Sequence, residues 1–186
     1  MNNQEPILPQ LQGKTLMIPA IPSSQESFHD KPKLYLRDIL SKSWLETDVQ
    51  QIFDQVAEHL FTQSSKATYS VPGGLKPKCA YRGENNCVCA IGSLIPDCEY
   101  NPDMESSSVS SLVSKFYKKT ETVDDQLVRF LQDLQGTHDA YLIPSWKPRL
   151  KEIAVRYAIP KLTVLDDWDF DHEQRRYIKK EKTNIS

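Results

Sequence analysis

The sequence predicts an α+β fold: a mainly helical single domain with one β-hairpin, at about residues 78–91, packed on the helices. Two patterns predict it. Apolar residues recur at three- and four-residue spacing in four separate stretches, the mark of amphipathic helices. Two β-prone runs, Cys79-Ala80-Tyr81-Arg82 and Cys87-Val88-Cys89-Ala90-Ile91, flank the polar turn Gly83-Glu84-Asn85-Asn86, which reads as a hairpin. A third observation sets the scale: 186 residues, 39% apolar and 26% charged, suit one globular domain with tails.

Charge and composition exclude several classes. Lys and Arg number 23 against 25 Asp and Glu, a net charge of −2, so no global field draws the chain to nucleic acid or to a membrane. No apolar run approaches the roughly 20 residues of a spanning helix. The amino terminus lacks the basic start and apolar stretch of a signal peptide. Four cysteines are too few for a disulfide-dense scaffold, and without an export signal their expected state is reduced.

Residues 1–33 read as an arm, extended or disordered. Pro6, Pro9, Pro19, Pro22 and Pro32 interrupt every short apolar run, and each biases its predecessor away from helix. The core is expected over 34–160. Leu34, Leu36, Ile39 and Leu40 suggest a short element ending near Ser43. Thr47 and Gln50 fit a capping box for a helix from about Asp48 to Gln63, whose inward stripe is Val49, Ile52, Phe53, Val56, Ala57, Leu60 and Phe61. Val71-Pro72-Gly73-Gly74 marks a turn, and Pro77 keeps a strand from starting before Lys78.

After the hairpin, Ser106 to about Tyr117 carries Val109, Leu112, Val113 and Phe116 on one face. Thr122 can cap a helix with Val123, Leu127, Phe130, Leu131 and Leu134 inward, closed by Gly136. Trp146, Leu150, Ile153, Ala154 and Tyr157 define another, between Pro144 and Pro160. Residues 161–186 form an acidic-then-basic tail. A helix at His172–Lys182 would have its charges ordered as the macrodipole favours.

Tyr81-Arg82-Gly83, the run Cys89-Ala90-Ile91-Gly92-Ser93-Leu94-Ile95-Pro96-Asp97, Tyr100-Asn101-Pro102 and Met104-Glu105 together resemble a pattern in uncharacterised small proteins of phages and bacteria. Those proteins carry a later L-Q-x-x-H-D, matched here by Leu134-Gln135-Gly136-Thr137-His138-Asp139, with Trp146 shortly after. The similarity covers about residues 48–158. It implies a phage or prophage context and a bacterial host cytoplasm, and attaches no activity.

Five polar members of these strings, Arg82, Asp97, Tyr100, Glu105 and His138, are the candidate ligand-binding residues. Either Arg82 pairs with Asp97 or Glu105 as a strut for the loop after the hairpin, or the group lines a polar pocket in which Arg82 grips a phosphate or carboxylate. His138 and Asp139 are expected to close the end of their helix.

Cys79, Cys87, Cys89 and Cys98 follow C-x7-C-x-C-x8-C, which contains no zinc knuckle, so no metal or other cofactor is expected and those four thiols form the weaker alternative. Cys89 with His138, oriented by Asp139 or Asp97, is the only nucleophile–base pair that the resemblance suggests, and no oxyanion-hole glycine pattern precedes it. Asp166-Asp167-Trp168-Asp169-Phe170-Asp171 fails as a calcium loop, because His172 and Ile178 stand where glycine and glutamate belong. Asp167, Trp168, Asp169 and Phe170 instead form a candidate partner-binding patch.

The expected function is therefore non-enzymatic: a phage accessory protein that binds, inhibiting or sequestering a host or host-defence component. The alternatives are a sponge for a signalling nucleotide and, behind it, a thiol or zinc enzyme. The expected partners are a host protein or a signalling small molecule, with self-association open, and neither a membrane nor a specific nucleic-acid sequence.

Overall fold

The chain divides into two compact units, Met1–Lys31 and Pro32–Ser186, and the computed structural model describes residues 31–74, 76–117 and 123–181. The arm expected over 1–33 thus lies outside the described residues up to residue 30. The second unit has the expected class, mainly helical α+β.

Helix α1 (Leu36–Leu40) buries Leu36 and Ile39. A 3-10 turn follows at Trp44–Glu46, held by the Glu46 carboxylate, which accepts from the Ser43 amide at 3.0 Å and its hydroxyl at 2.8 Å. This turn takes Thr47, the residue expected to cap the next helix. The Thr47 hydroxyl bends back to the Ser43 carbonyl at 2.7 Å. Helix α2 (Val49–Gln63) is capped instead by Asp48, whose carboxylate accepts from the Gln51 amide at 2.9 Å. Its inward stripe follows the spacing from Ile52 on: Ile52, Phe53, Val56, Ala57, Leu60 and Phe61 are buried, while Val49 is half-buried against the same core.

The polar edges of α2 have their own task. Gln55 bonds both backbone groups of Leu34, at 2.8 and 3.0 Å. Gln63 does the same for Val88, at 2.7 and 3.0 Å. Gln50 does so for Lys161, at 3.0 and 2.9 Å. Chain lacking regular partners must still satisfy its buried amides and carbonyls, and here three side-chain amides serve as strand neighbours.

The β structure before α3 is more fragmentary than a plain 78–91 hairpin. Strand β1 (Thr68–Tyr69) pairs antiparallel with β2 (Lys78–Cys79), Thr68 opposite Cys79. The expected turn does form: Asn85 and Asn86 adopt left-handed φ values of 56° and 58°, and Gly83 donates to the Cys87 carbonyl at 2.8 Å. The fold-back closes on the single bridge Arg82–Val88. It ends there because the chain turns, Ser93 reaching back to the Cys89 carbonyl at 3.0 Å. Two glycines permit the close approach. A Cβ on Gly83 would lie 2.4 Å from the Thr68 nitrogen, and one on Gly92 2.3 Å from the Tyr81 carbonyl oxygen.

Helix α3 (Val109–Leu112), capped by Ser108, widens into a π-type turn at Val113–Tyr117. Helix α4 (Asp125–Ala140) corrects two expectations. Thr122 lies outside the described residues and the cap is Asp124; Gly136 is internal, because the helix runs on to bury Thr137 and His138. Helix α5 (Trp146–Arg156) occupies its expected place and buries Trp146, Leu150, Ile153 and Ala154. After α6 (Thr163–Asp166), the tail expected to be helical forms a second hairpin, β3 (Trp168–Asp171) against β4 (Arg176–Lys179). Asp171 turns the chain by accepting from the amides of Glu173 and Gln174, at 2.8 and 3.0 Å. Trp168 and Tyr177 join the one hydrophobic core. No helix among the described residues is long and apolar enough to cross a membrane.

Asp124 makes this architecture acid-sensitive. Its carboxylate accepts from the distant Trp44 amide at 2.8 Å as well as from Gln126 and Leu127 at the start of α4. The Trp44 hydrogen bond above all, against a smaller opposing effect of burial and with the two cap bonds, holds this carboxyl below its ordinary 3.8. A depressed folded value adds stability above the unfolded value and loses it as pH falls through the folded one. The stability gap between the native chain and Asp124→Asn, read from urea melts, is therefore expected to shrink as pH falls from about 5 to about 2; a gap constant with pH would refute the assignment.

Candidate functional site

The polar strings that flank the fold-back converge on Glu105. One of its oxygens accepts from the Tyr81 amide at 2.9 Å, the other from the Arg82 amide at 2.9 Å and the Tyr100 hydroxyl at 2.8 Å. Burial first, then the Glu105 hydrogen bond and charge, push the Tyr100 phenol up to about 12. The Arg82 guanidinium donates to the Ile95 carbonyl at 2.6 Å and to Asp97 at 3.0 Å, and lies 5.4 Å over the Tyr100 ring. Asp97 is 99% exposed, so its ion pair with Arg82 adds little. Four of the five candidate ligand-binding residues thus come together, in the strut arrangement. Glu105 binds the backbone amide of Arg82, and Asp97 its side chain.

His138 is bonded elsewhere. Fully buried, it accepts the Ala67 amide on Nε2 at 2.8 Å, which places the ring proton on Nδ1, 2.8 Å from Asp139 Oδ1. Its ring stacks 6.0 Å from Trp146. The expectation that His138 closes the end of α4 is corrected: it anchors the start of β1. Asp139 also accepts from Gln135, at 2.9 and 3.0 Å, and from the Cys79 thiol. Burial opposes ionisation of Asp139, and hydrogen bonds from His138, Gln135 and Cys79 outweigh it, holding the carboxyl below its ordinary value.

These two clusters share a cleft of about 80 Å³ lined by Cys79, Tyr81, Glu105, Ser107, Gln135 and Asp139. That is far below the roughly 300–1,000 Å³ of pockets that take drug-sized ligands, so it has room only for an ion, waters or a small polar group.

The thiol pairing of Cys89 with His138 does not occur. The Cys89 sulfur accepts from the Gly92 amide at 3.2 Å, and both imidazole nitrogens are engaged by Ala67 and Asp139. Burial pushes the Cys89 thiol up to about 12, with little thiolate available. The four cysteines do not gather: Cys89 is buried, Cys79 and Cys87 half-buried, Cys98 exposed. Among the described residues the group of metal-capable atoms drawn together is Cys79, His138 and Asp139. Sequence reasoning missed Cys79 as the partner of Asp139, because β2 and the end of α4 meet only in three dimensions.

The acidic–aromatic segment is likewise folded inward. Trp168 is buried, its indole donating to Glu58 at 2.8 Å, and Phe170 packs on Tyr177. Asp169 pairs with Lys147 and Lys180 at 2.9 and 3.2 Å. The Asp167 carbonyl accepts from the Lys180 amide. Of the candidate patch, Trp168 thus serves the core, while Asp169 stays exposed beside two lysines of the same chain and Asp167 and Phe170 are half-buried.

Fold and site together define a small, mainly helical α+β domain with a satisfied polar junction and one mixed thiol–imidazole–carboxylate cluster. Comparison with protein-family models, with curated proteins and with solved structures finds no match to this chain.

Proposed function

We propose that this chain acts by binding rather than by catalysis, as a phage or prophage accessory protein that inhibits or sequesters a protein of its bacterial host, within the host cytoplasm. One observation carries the reading: the side chains best suited to chemistry serve the fold itself. Glu105 holds three donors, Arg82 clamps the Ile95 carbonyl, and the buried Cys89 sulfur accepts from the Gly92 amide. Buried polar groups so engaged resist redeployment, because each lost partner leaves an uncompensated group. Recognition then falls to the rest of the chain, foremost to the 1–33 stretch with its apolar residues set between prolines.

The test is native mass spectrometry of the full chain purified from host lysate, beside a chain lacking residues 1–31, the boundary of the first unit. The expected result is a stoichiometric protein partner that the shortened chain loses while its circular dichroism melt is retained. A stoichiometric nucleotide, or turnover of a substrate by the purified chain, would overturn the proposal.

A further inference from the structure

Cys79 closes β2, and His138 and Asp139 occupy the last turn of α4, where their ligand atoms all lie within 4.8 Å of one another. Cys79 and Asp139 also line the small cleft. Sulfur, imidazole nitrogen and carboxylate oxygen form a donor set suited to Zn²⁺, which commonly takes three protein ligands and leaves a fourth position open. We propose that Cys79 Sγ, His138 Nδ1 and the Asp139 carboxylate form a zinc site whose open position faces the cleft.

The surroundings support such a site. Gln135 bonds both Asp139 oxygens while its own carbonyl accepts from the Ile91 amide at 3.0 Å. Lys66 ties down the Asp139 main-chain carbonyl at 3.0 Å. Such outer partners orient ligands. On binding, the Cys79 thiol releases its proton to solvent and the sulfur takes the metal. The His138 ring proton must move from Nδ1 to Nε2, so the Ala67 amide loses its acceptor. Zinc binding is thus coupled to loosening of the chain just before β1, a consequence that adventitious surface binding does not share.

The experiment titrates the full chain with Zn²⁺ by calorimetry and with Co²⁺ by absorption spectroscopy, and follows amide exchange with and without zinc. The expected result is one equivalent bound, a near-ultraviolet thiolate-to-cobalt band, and faster exchange at Ala67. Cys79→Ser should abolish the band, Gln135→Ala should weaken binding about tenfold, and Cys98→Ser should change neither. Asp139→Asn provides a second ligand variant should Cys79→Ser fail to fold. A cobalt spectrum without the thiolate band, binding that survives loss of Cys79 or Asp139, or no stoichiometric binding would overturn the site.

Discussion

Replacing His138 by alanine is expected to destabilise the domain by about 4 kcal/mol, a large part of the roughly 5–15 kcal/mol that holds a typical domain folded. Two losses combine. The Ala67 amide, 2.8 Å from Nε2, is left without an acceptor in a fully buried place, at a cost of about 1–3 kcal/mol. The missing ring opens a cavity beside Trp146, and large-to-small core changes cost about 2–5 kcal/mol. The terms overlap, so they do not simply add. His138→Gln, which can offer a side-chain carbonyl to Ala67, should recover part of the loss. Urea unfolding at neutral pH checks both variants, with a midpoint fall on the order of 10 °C expected for alanine in thermal melts. A loss below about 1 kcal/mol would mean that the Ala67 amide finds another partner and that His138 is not the anchor of β1.

Features governed by local rules were readable in the sequence. The apolar stripe of α2 and the proline brackets around α5 act through nearest turns, and the left-handed turn at Asn85-Asn86 uses residues that tolerate it. The meeting of Arg82 with Asp97 was also readable, because a short span of chain separates the two around one loop. What escaped depends on distant chain. The Thr47 cap gave way to Asp48 because Ser43 and Glu46 had already built a turn upstream. Gly136 did not end α4 because the burial of His138 against Ala67 and Trp146 rewards a further turn. The Cys79–Asp139–His138 cluster joins β2 to α4, and no spacing rule connects residues so far apart. Alternating acids and aromatics at 166–171 followed by basic residues satisfy a helix-dipole pattern, yet the same alternation is the period-two pattern of a strand, and burial of Trp168 and Tyr177 decided between them.

That decision makes the C-terminal hairpin the place for the second large effect. An isolated two-stranded hairpin is marginal in water, so β3 and β4 persist because their rings dock on α2 and the start of α5. Trp168 lies 6.0 Å from Phe61 and donates to Glu58; Tyr177 lies 4.3 Å from Phe61, its amide donates to Ser64 at 2.8 Å, and its hydroxyl accepts from the Lys147 amide at 3.0 Å. Trp168→Ala is expected to cost roughly 3–5 kcal/mol, and the loss should appear first as release of the hairpin. Amide exchange at Tyr177 and Lys180 should rise toward that of open chain while amides in the middle of α4 and α5 stay protected. Trp168→Phe keeps an aromatic ring in the core and loses the indole bond to Glu58, which retains Lys179 at 2.8 Å, so about 1 kcal/mol is expected. Protection of Tyr177 unchanged in the alanine variant would show that Tyr177 alone holds the hairpin. A uniform loss of protection across α4 and α5 would show instead that hairpin and helices unfold as one unit. Local release with the helices intact is the result that places the acidic–aromatic segment at the edge of the core, attached through two rings and detachable without the rest.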